Sequence, residues 1–357
     1  RGRARAAEGG GGWHGSKGGD LQVDAPGQYV LARTSVVACA EYVEARVMFG
    51  LPARGRSIEG RRAAEAAGEL LDAVEDTLFY AALDHDALQR HLESVEDQDA
   101  LRRALPERGL VAFVANGSLL PRRSGVDDRP LEAEDAPHLE AFRSPPSLEV
   151  SVQLPYAGEV RGMGIRKGIT VIVGGGFHGK STLLRALELG VYDKVPGDGR
   201  EFVVCDAGAA KVRAEDGRSV RSTDISAFIN NLPFGQPTTR FTTSNASGST
   251  SQAASVVEAI EAGATVLLLD EDTCATNFMV RDAKMQELVR PEKEPITAFV
   301  TKALPLHRDL GVSVVLAMGS SSDFFGVADA VVMMDCYRAL DVTARARELG
   351  AGSPPPA

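Results

Sequence analysis

The feature that most constrains this chain is the run ITVIV followed directly by GGGFHGKST, residues 169–182. Its β-branched residues favour an extended, buried strand. The next residues fit the pattern GxxxxGK[ST], with Gly174, Gly179, Lys180 and Ser181 in the fixed places. Such a loop must curl so that backbone N–H groups point inward at phosphate oxygens, and glycine allows the dihedrals this needs. Gly174, Gly175, Gly176, Phe177, His178 and Gly179 are therefore read as a phosphate cradle. Lys180 brings a point charge to the β- and γ-phosphates, Ser181 offers a hydroxyl to Mg²⁺, and Thr182 completes the set. The following STLLRALELG reads as a helix whose positive end meets the anion.

Around this motif, short apolar runs alternate with helix-length segments: FVVC (202–205), TVLLL (265–269), VSVVLAM (312–318) and AVVMM (330–334). Strands spaced this way point to βαβ units and a parallel sheet covered on both faces, an α/β fold. TVLLLDED ends in acids, and a carboxylate at the carboxyl end of a parallel strand belongs beside the phosphate loop. Asp270 is assigned to Mg²⁺ and Glu271 to polarising the attacking water, because a cation lowers the pKa of whichever acid it contacts.

The length, 357 residues, gives a prior of two to three domains. With 44% hydrophobic and 25% charged residues the chain can build a sizeable core. A net charge of −10 excludes a uniformly basic nucleic-acid coat. No apolar run is long enough to span a bilayer. The four cysteines are far apart with no CxxC pair, which argues against a disulfide framework or a spaced zinc site and for a reducing, intracellular, soluble setting. The first residue is Arg1, read as a fragment or processed start without a secretory signal. Residues 1–20 are expected to be a disordered basic Gly-rich tail. Residues 21–145 are expected to form a smaller α+β domain, with helical spacing at Leu71, Val74 and Leu78 and at Leu88, Leu92 and Val95, and a strand at LVAFV (110–114). An acidic, Pro-containing connection at 132–147 marks the boundary, 146–345 hold the phosphate loop, and 346–357 read as a linker or terminus. Phe79 and Tyr80 are read as core. Arg54, Arg56, Arg61 and Arg62, with Arg122 and Arg123, are the candidate surface for a phosphate backbone, RNA above all; solvated faces with acidic partners are the rival reading.

Between the loop and the acids lies SNASGSTSQAASVVEAIEAGA (244–264), a Ser/Gly cluster before a helix with unpaired N–H groups in its first turn. ASGS (246–249) resembles a degenerate LSGG signature of ABC-class ATPases, and DEDTCATN (270–277) resembles DEPTSALD. The stretch from GMGIRKGITVIVGGGFHGKST to LLLDEDTCATNFM closely resembles the predicted soluble "ATPase of the ABC class" family, with LPARGR (51–56) and LPRRSGVDDRP (120–130) included. The resemblance implies a P-loop NTPase with an ABC-ATPase-type core. It also implies ATP and Mg²⁺ as cofactors, and a head-to-tail homodimer in which Ser247, Gly248 and Ser249 of one copy face the γ-phosphate held by Lys180 of the other. Glu271, Lys180 and Ser247 would then be catalytic, and Asn277 stands where the D-loop Asp normally does.

Departures from the family pattern matter. Transporters carry a His after the strand that follows the D-loop; here Gly319 and Ser320 stand instead. No clear Q-loop Gln follows FVVCD, and Asp206 is a substitute candidate. Tyr156 is offered either as a base-stacking or as a packing residue. The expected function is Mg²⁺-dependent ATP hydrolysis driving a conformational or dimerisation cycle, not transport. The alternatives are an RNA-binding protein using ATP as a clamp switch with slow turnover, and a nucleotide-bound scaffold.

Overall fold

The computed structural model describes residues 21–131, 140–230, 232, 235, 237–281, 289 and 293–350. The expected N-terminal tail, residues 132–139 of the acidic connection and residues 351–357 lie outside these. The chain divides into two compact units, 1–93 and 94–357.

In the first unit, short antiparallel ribbons pair Leu21–Gln22 with Met48–Phe49, Val36–Ala38 with Val43–Ala45, and Ala53–Arg54 with Ser57–Ile58. They are followed by helix α1 (Gly60–Leu78). The periodic residues of α1 do not make a core: Leu71 is exposed, as are Phe79 and Tyr80, which were expected to be buried. Tyr80 instead stacks on His85, with ring centroids 4.3 Å apart.

Helix α2 (His85–Glu107) runs across the division into the second unit. There, β1 (Leu110–Ala115), β2 (Glu149–Leu154), β3 (Gly158–Arg166) and β5 (Val203–Cys205) form an antiparallel sheet in the order β5-β1-β3-β2. The P-loop sheet contains β4 (Ile169–Val173), β6 (Ala209–Val212), β7 (Val266–Asp270), β8 (Ser313–Ala317), β9 (Ala330–Asp335) and β10 (Arg338–Asp341). Its order is β6-β7-β8-β4-β9-β10, parallel except for the β9–β10 hairpin. The helices on it are α3 (Lys180–Glu188), α4 (Gly248–Glu261), the short α5 (Thr276–Met279), α6 (Phe299–Leu310) and α7 (Thr343–Gly350).

Two readings are corrected here. The division falls after Glu93, not near residue 145, because LVAFV is an inner strand of the antiparallel sheet, paired to both β3 and β5. Residues 140–147, the described part of the acidic stretch, belong to the second unit. FVVC is likewise a strand of this sheet and not of the parallel one.

Alternation along the strands builds the layers. Leu267, Leu269, Val314 and Leu316 face one core with Ala253, Val256 of α4 and Phe299, Ala303 of α6. Leu268, Val315 and Ile172 face a second core with Leu183 and Leu187 of α3 and with Val111, Met163 and Cys205 of the antiparallel sheet. A third core, with Leu101, Leu105, Phe113 and Val152, joins that sheet to α2. The parallel strands are thus buried on both faces. Their backbone ends provide the polar groups of the site.

Candidate functional site

The loop after β4 has the shape its glycines permit. Gly174 adopts φ +146°, and a Cβ there would lie 2.3 Å from the Met334 carbonyl oxygen on β9. Gly179 adopts φ +98° as the N-cap of α3, with no side chain capping the helix, and a Cβ there would lie 2.7 Å from the Tyr337 ring. The first-turn N–H groups of α3 are therefore left for an anion. Lys180 Nζ donates to the carbonyls of Gly174 (2.7 Å) and Gly175 (2.8 Å). Its charge is parked on the loop that phosphate oxygens would enter. Phe177, also at positive φ, projects fully exposed.

The acids arrive from β7. Its neighbour is not the phosphate-loop strand, since β8 lies between them. The end of β8 bridges the gap. Glu271 Oε2 accepts from the N–H groups of Gly319 (2.5 Å) and Ser320 (3.0 Å), and Oε1 accepts from the Ser320 hydroxyl. A Cβ on Gly319 would sit 3.6 Å from Lys180 Nζ and 3.8 Å from Glu271 Oε2. Lys180 at the start of α3 and Glu271 just after β7 thus converge on one spot, and residue 319 separates them. Burial pushes the Glu271 carboxyl up. The Ser320 hydroxyl, the Gly319 and Ser320 N–H groups and the Lys180 charge outweigh it, and the carboxyl ends below its usual range.

Asp270 is nearly buried, with a long 3.4 Å contact from the Asp272 N–H to its Oδ1. Ser181 is exposed in the first turn of α3, and Thr182 beside it is half-buried. A hydroxyl and a carboxylate are hard oxygen donors, the chemistry that suits Mg²⁺. The ASGS segment starts a helix as expected: Ser247 is the exposed N-cap of α4, its hydroxyl 2.9 Å from that of Thr250. Gly248 lies against Ala275 and Asp216, and Gln252 accepts from the Ala275 N–H (2.8 Å), which ties the start of α4 to the segment carrying exposed Asn277. The half-buried Ser249 follows in the first turn. The contacts described for Ser247 and Gly248 are with these neighbours and not with the phosphate loop.

Four candidates are placed elsewhere than expected. His178 turns to the β9–β10 hairpin, its Nδ1 accepting from the Cys336 N–H (3.1 Å). Asp206 accepts from Thr265 (2.6 Å) and Gly208 (2.9 Å), at the amino ends of β6 and β7, opposite the phosphate end of the sheet. It cannot stand in for a Q-loop Gln. Tyr156 donates its phenol O–H to Glu96 (2.7 Å) in the turn between β2 and β3. Arg122 is buried against Asp198 (3.2 Å) and also donates to the Asp198 carbonyl (2.9 Å), so its charge is not presented to a nucleic acid. Half-buried Arg123 follows it. Arg61 and Arg62 pair with Glu65 and Glu59, while Arg54 and Arg56 stand exposed on their hairpin. The clamp on Glu271 was missed. Its only signal was the Gly319-Ser320 pair at the position where a His was sought.

Among the described residues no helix is long and apolar enough to cross a membrane. Among solved structures, cbiO1 from Clostridium perfringens, part of the ABC transporter complex cbiONQ, aligns at TM-score 0.34 and 15% identity over 57% of this chain and 91% of that one. An inward-facing ABC transporter of the metal-chelate type aligns at TM-score 0.37 and 16% identity over 65% of this chain and 82% of that one. An uncharacterized protein of Methanocaldococcus jannaschii is 29% identical over 279 residues, 76% of this chain and 61% of the relative, so the match spans less than two thirds of that relative's length. The ABC ATPase P-loop domain matches residues 84–356, and the N-terminal region of ATPases of the ABC class matches residues 9–81. With these two matched in tandem along nearly its whole length, the chain belongs to the family of ATPases of the ABC class.

Proposed function

We propose that the chain binds ATP with Mg²⁺ and hydrolyses it slowly, and that two copies pair head-to-tail in a conformational cycle that does not serve transport. The observation that carries this reading is the meeting of Lys180 and Glu271 across Gly319 at the open end of the phosphate loop. Phosphate oxygens would take Lys180 from the Gly174 and Gly175 carbonyls and meet the uncapped start of α3. Ser181 and Asp270 would hold Mg²⁺, which supplies charge neutralisation at the phosphates. Glu271 would orient the attacking water. A carboxylate already accepting three hydrogen bonds is a weak base, which accords with slow turnover. Glu271→Gln keeps the side-chain shape and removes the charge. Hydrolysis is expected to fall at least ~10²-fold, the usual scale for a positioned acid or base, while ATP stays bound. Unchanged hydrolysis would remove Glu271 from the reaction.

The RNA-clamp reading now rests on Arg54 and Arg56, exposed together on one hairpin of the first unit. Salt-dependent binding of single-stranded RNA, with and without ATP, tests it. No binding at low salt disposes of it.

A further inference from the structure

The imidazole of His178 has a defined setting outside the phosphate cradle. One edge of the ring lies against Gly175, where a Cβ would meet Cδ2 at 3.2 Å and Nε2 at 3.3 Å. The other edge presents Nδ1 to the β9–β10 turn, 3.2 Å from Asp335 Oδ1 and accepting from the Cys336 N–H at 3.1 Å, a hydrogen bond that an ion at Nδ1 would have to displace because the nitrogen has one lone pair. One donor atom from each of His178, Asp335 and Cys336 lies within 4.8 Å of the others, and both hairpin residues are exposed. Nitrogen, carboxylate oxygen and thiol sulfur therefore converge from the phosphate loop and from a hairpin more than 150 residues later in the chain.

The turn itself is unusual. Cys336 and Tyr337 have φ of 49° and 67°. A two-residue hairpin with both residues at positive φ ordinarily takes Asn-Gly or Asp-Gly, which enter that region without strain. Here a thiol and a phenol ring occupy it, in contact with the phosphate loop. Residues held in such conformations cluster where the strain serves a site.

We propose that His178, Asp335 and Cys336 form a binding site for a borderline divalent transition-metal ion, Zn²⁺ being the best match, with water in the fourth position. The donor set is the mixed N/O/S type that such ions accept and Mg²⁺ does not. Bonds of about 2.0–2.3 Å in a tetrahedral site place ligand atoms roughly 3.3–3.8 Å apart. The His178–Asp335 separation already matches, and the outermost pair closes by about 1 Å. The site is separate from the Mg²⁺ candidates: Asp270 stands at the end of β7, two strands to one side of β4, and the hairpin begins with β9 on the other side. A bound ion would pin the phosphate loop to the hairpin through the loop's own histidine. The site goes beyond the hydrolytic reading and does not depend on it.

Co²⁺ is the direct probe. Adding it to the full chain under reducing, metal-free conditions is expected to give the visible bands of a tetrahedral ion and a near-ultraviolet thiolate charge-transfer band, saturating at one equivalent. Zn²⁺ should displace both. Cys336→Ser is expected to abolish the thiolate band, and His178→Ala to weaken binding at least tenfold. In the unaltered protein, Zn²⁺ should slow alkylation of Cys336, read by peptide mass spectrometry, while leaving exposed Cys39 as reactive as before. This last measurement needs no variant to fold. Absence of a thiolate band at tenfold Co²⁺ excess, a band that survives in Cys336→Ser, or equal alkylation of Cys336 with and without Zn²⁺ would overturn the proposal.

Discussion

Glu271 is a carboxylate with both oxygens engaged, and the hydroxyl of Ser320 is the contact that a single substitution can remove. Ser320→Ala leaves the two backbone donors in place and is expected to raise the Glu271 pKa. The sign follows from the depressed folded value. A depressed carboxylate favours folding above its unfolded pKa, and this contribution is lost as pH falls through the folded one. Under the proposed mechanism the rate needs the ionised form, so the acid limb of the hydrolysis profile should move to higher pH in Ser320→Ala. An unshifted limb would mean that Ser320 does not tune the acid. Gly179 sits at the same scale. Its φ of +98° and the Tyr337 ring 2.7 Å from the Cβ position make even a methyl group costly. Gly179→Ala should lower unfolding stability by about 1–3 kcal/mol, the range for a strained backbone position. The same change should abolish nucleotide binding, both readable in one thermal-shift titration with ATP.

At the scale of elements, the second unit holds charges buried between its loops. Asp198 is fully buried, and it holds Arg200 (2.7 Å) and Arg122 (3.2 Å). Asp198→Asn leaves buried guanidinium charge under-compensated and should cost about 3–5 kcal/mol in denaturant unfolding. A loss below about 1 kcal/mol would show that Asp128 suffices alone. Lys194 behaves differently. Burial, with the Arg200 charge adding to it, pushes its pKa from 10.5 down to about 7. The unfolded chain then binds a proton that the folded chain has released, so stability should rise as pH climbs from about 7 to about 10.5 and level off below that window. Lys194→Met should flatten this rise; an unchanged slope would place its origin elsewhere. The burial of Arg122, Lys194 and Arg200 was not visible in the sequence, because composition shows charge without showing what covers it. The strands were more legible. ITVIV, TVLLL, VSVVLAM and AVVMM all lie in the parallel sheet, with Gly174 and Asp270 at the carboxyl ends as read. FVVC and LVAFV were equally clear as strands, but FVVC was grouped with the parallel sheet and LVAFV with the first domain, since an apolar run records burial and not which sheet buries it. The loop glycines, Lys180 and the acids could be read because their chemistry fixes a local spacing. The His178–Asp335–Cys336 cluster and the Gly319–Ser320 clamp could not, because tertiary pairing alone brings them together.

On the scale of the whole molecule, the phosphate loop and the start of α4 look like two halves of one site. Lys180, Glu271 and the uncapped start of α3 gather at one end of the parallel sheet. The start of α4 is a second helix end without a side-chain cap, its Ser247 exposed and its contacts directed to Ala275 and Asp216. In the proposed head-to-tail pair, two such ends from two copies of the chain would meet one triphosphate. ATP would then be the link between them, and hydrolysis would part them. Glu271→Gln with ATP and Mg²⁺ should therefore shift the chain from one copy to two in light scattering, and omitting ATP should reverse the shift. Ser247→Asp is the sharper test. Aspartate is as good an N-cap as serine, so α4 keeps its start. The new charge would face the phosphate across the interface, and the ATP-dependent dimer should be lost from the Glu271→Gln background while ATP binding to the single chain persists. A dimer that survives Ser247→Asp would place the pairing surface elsewhere. A chain that stays monomeric at saturating ATP would leave the phosphate loop to work alone.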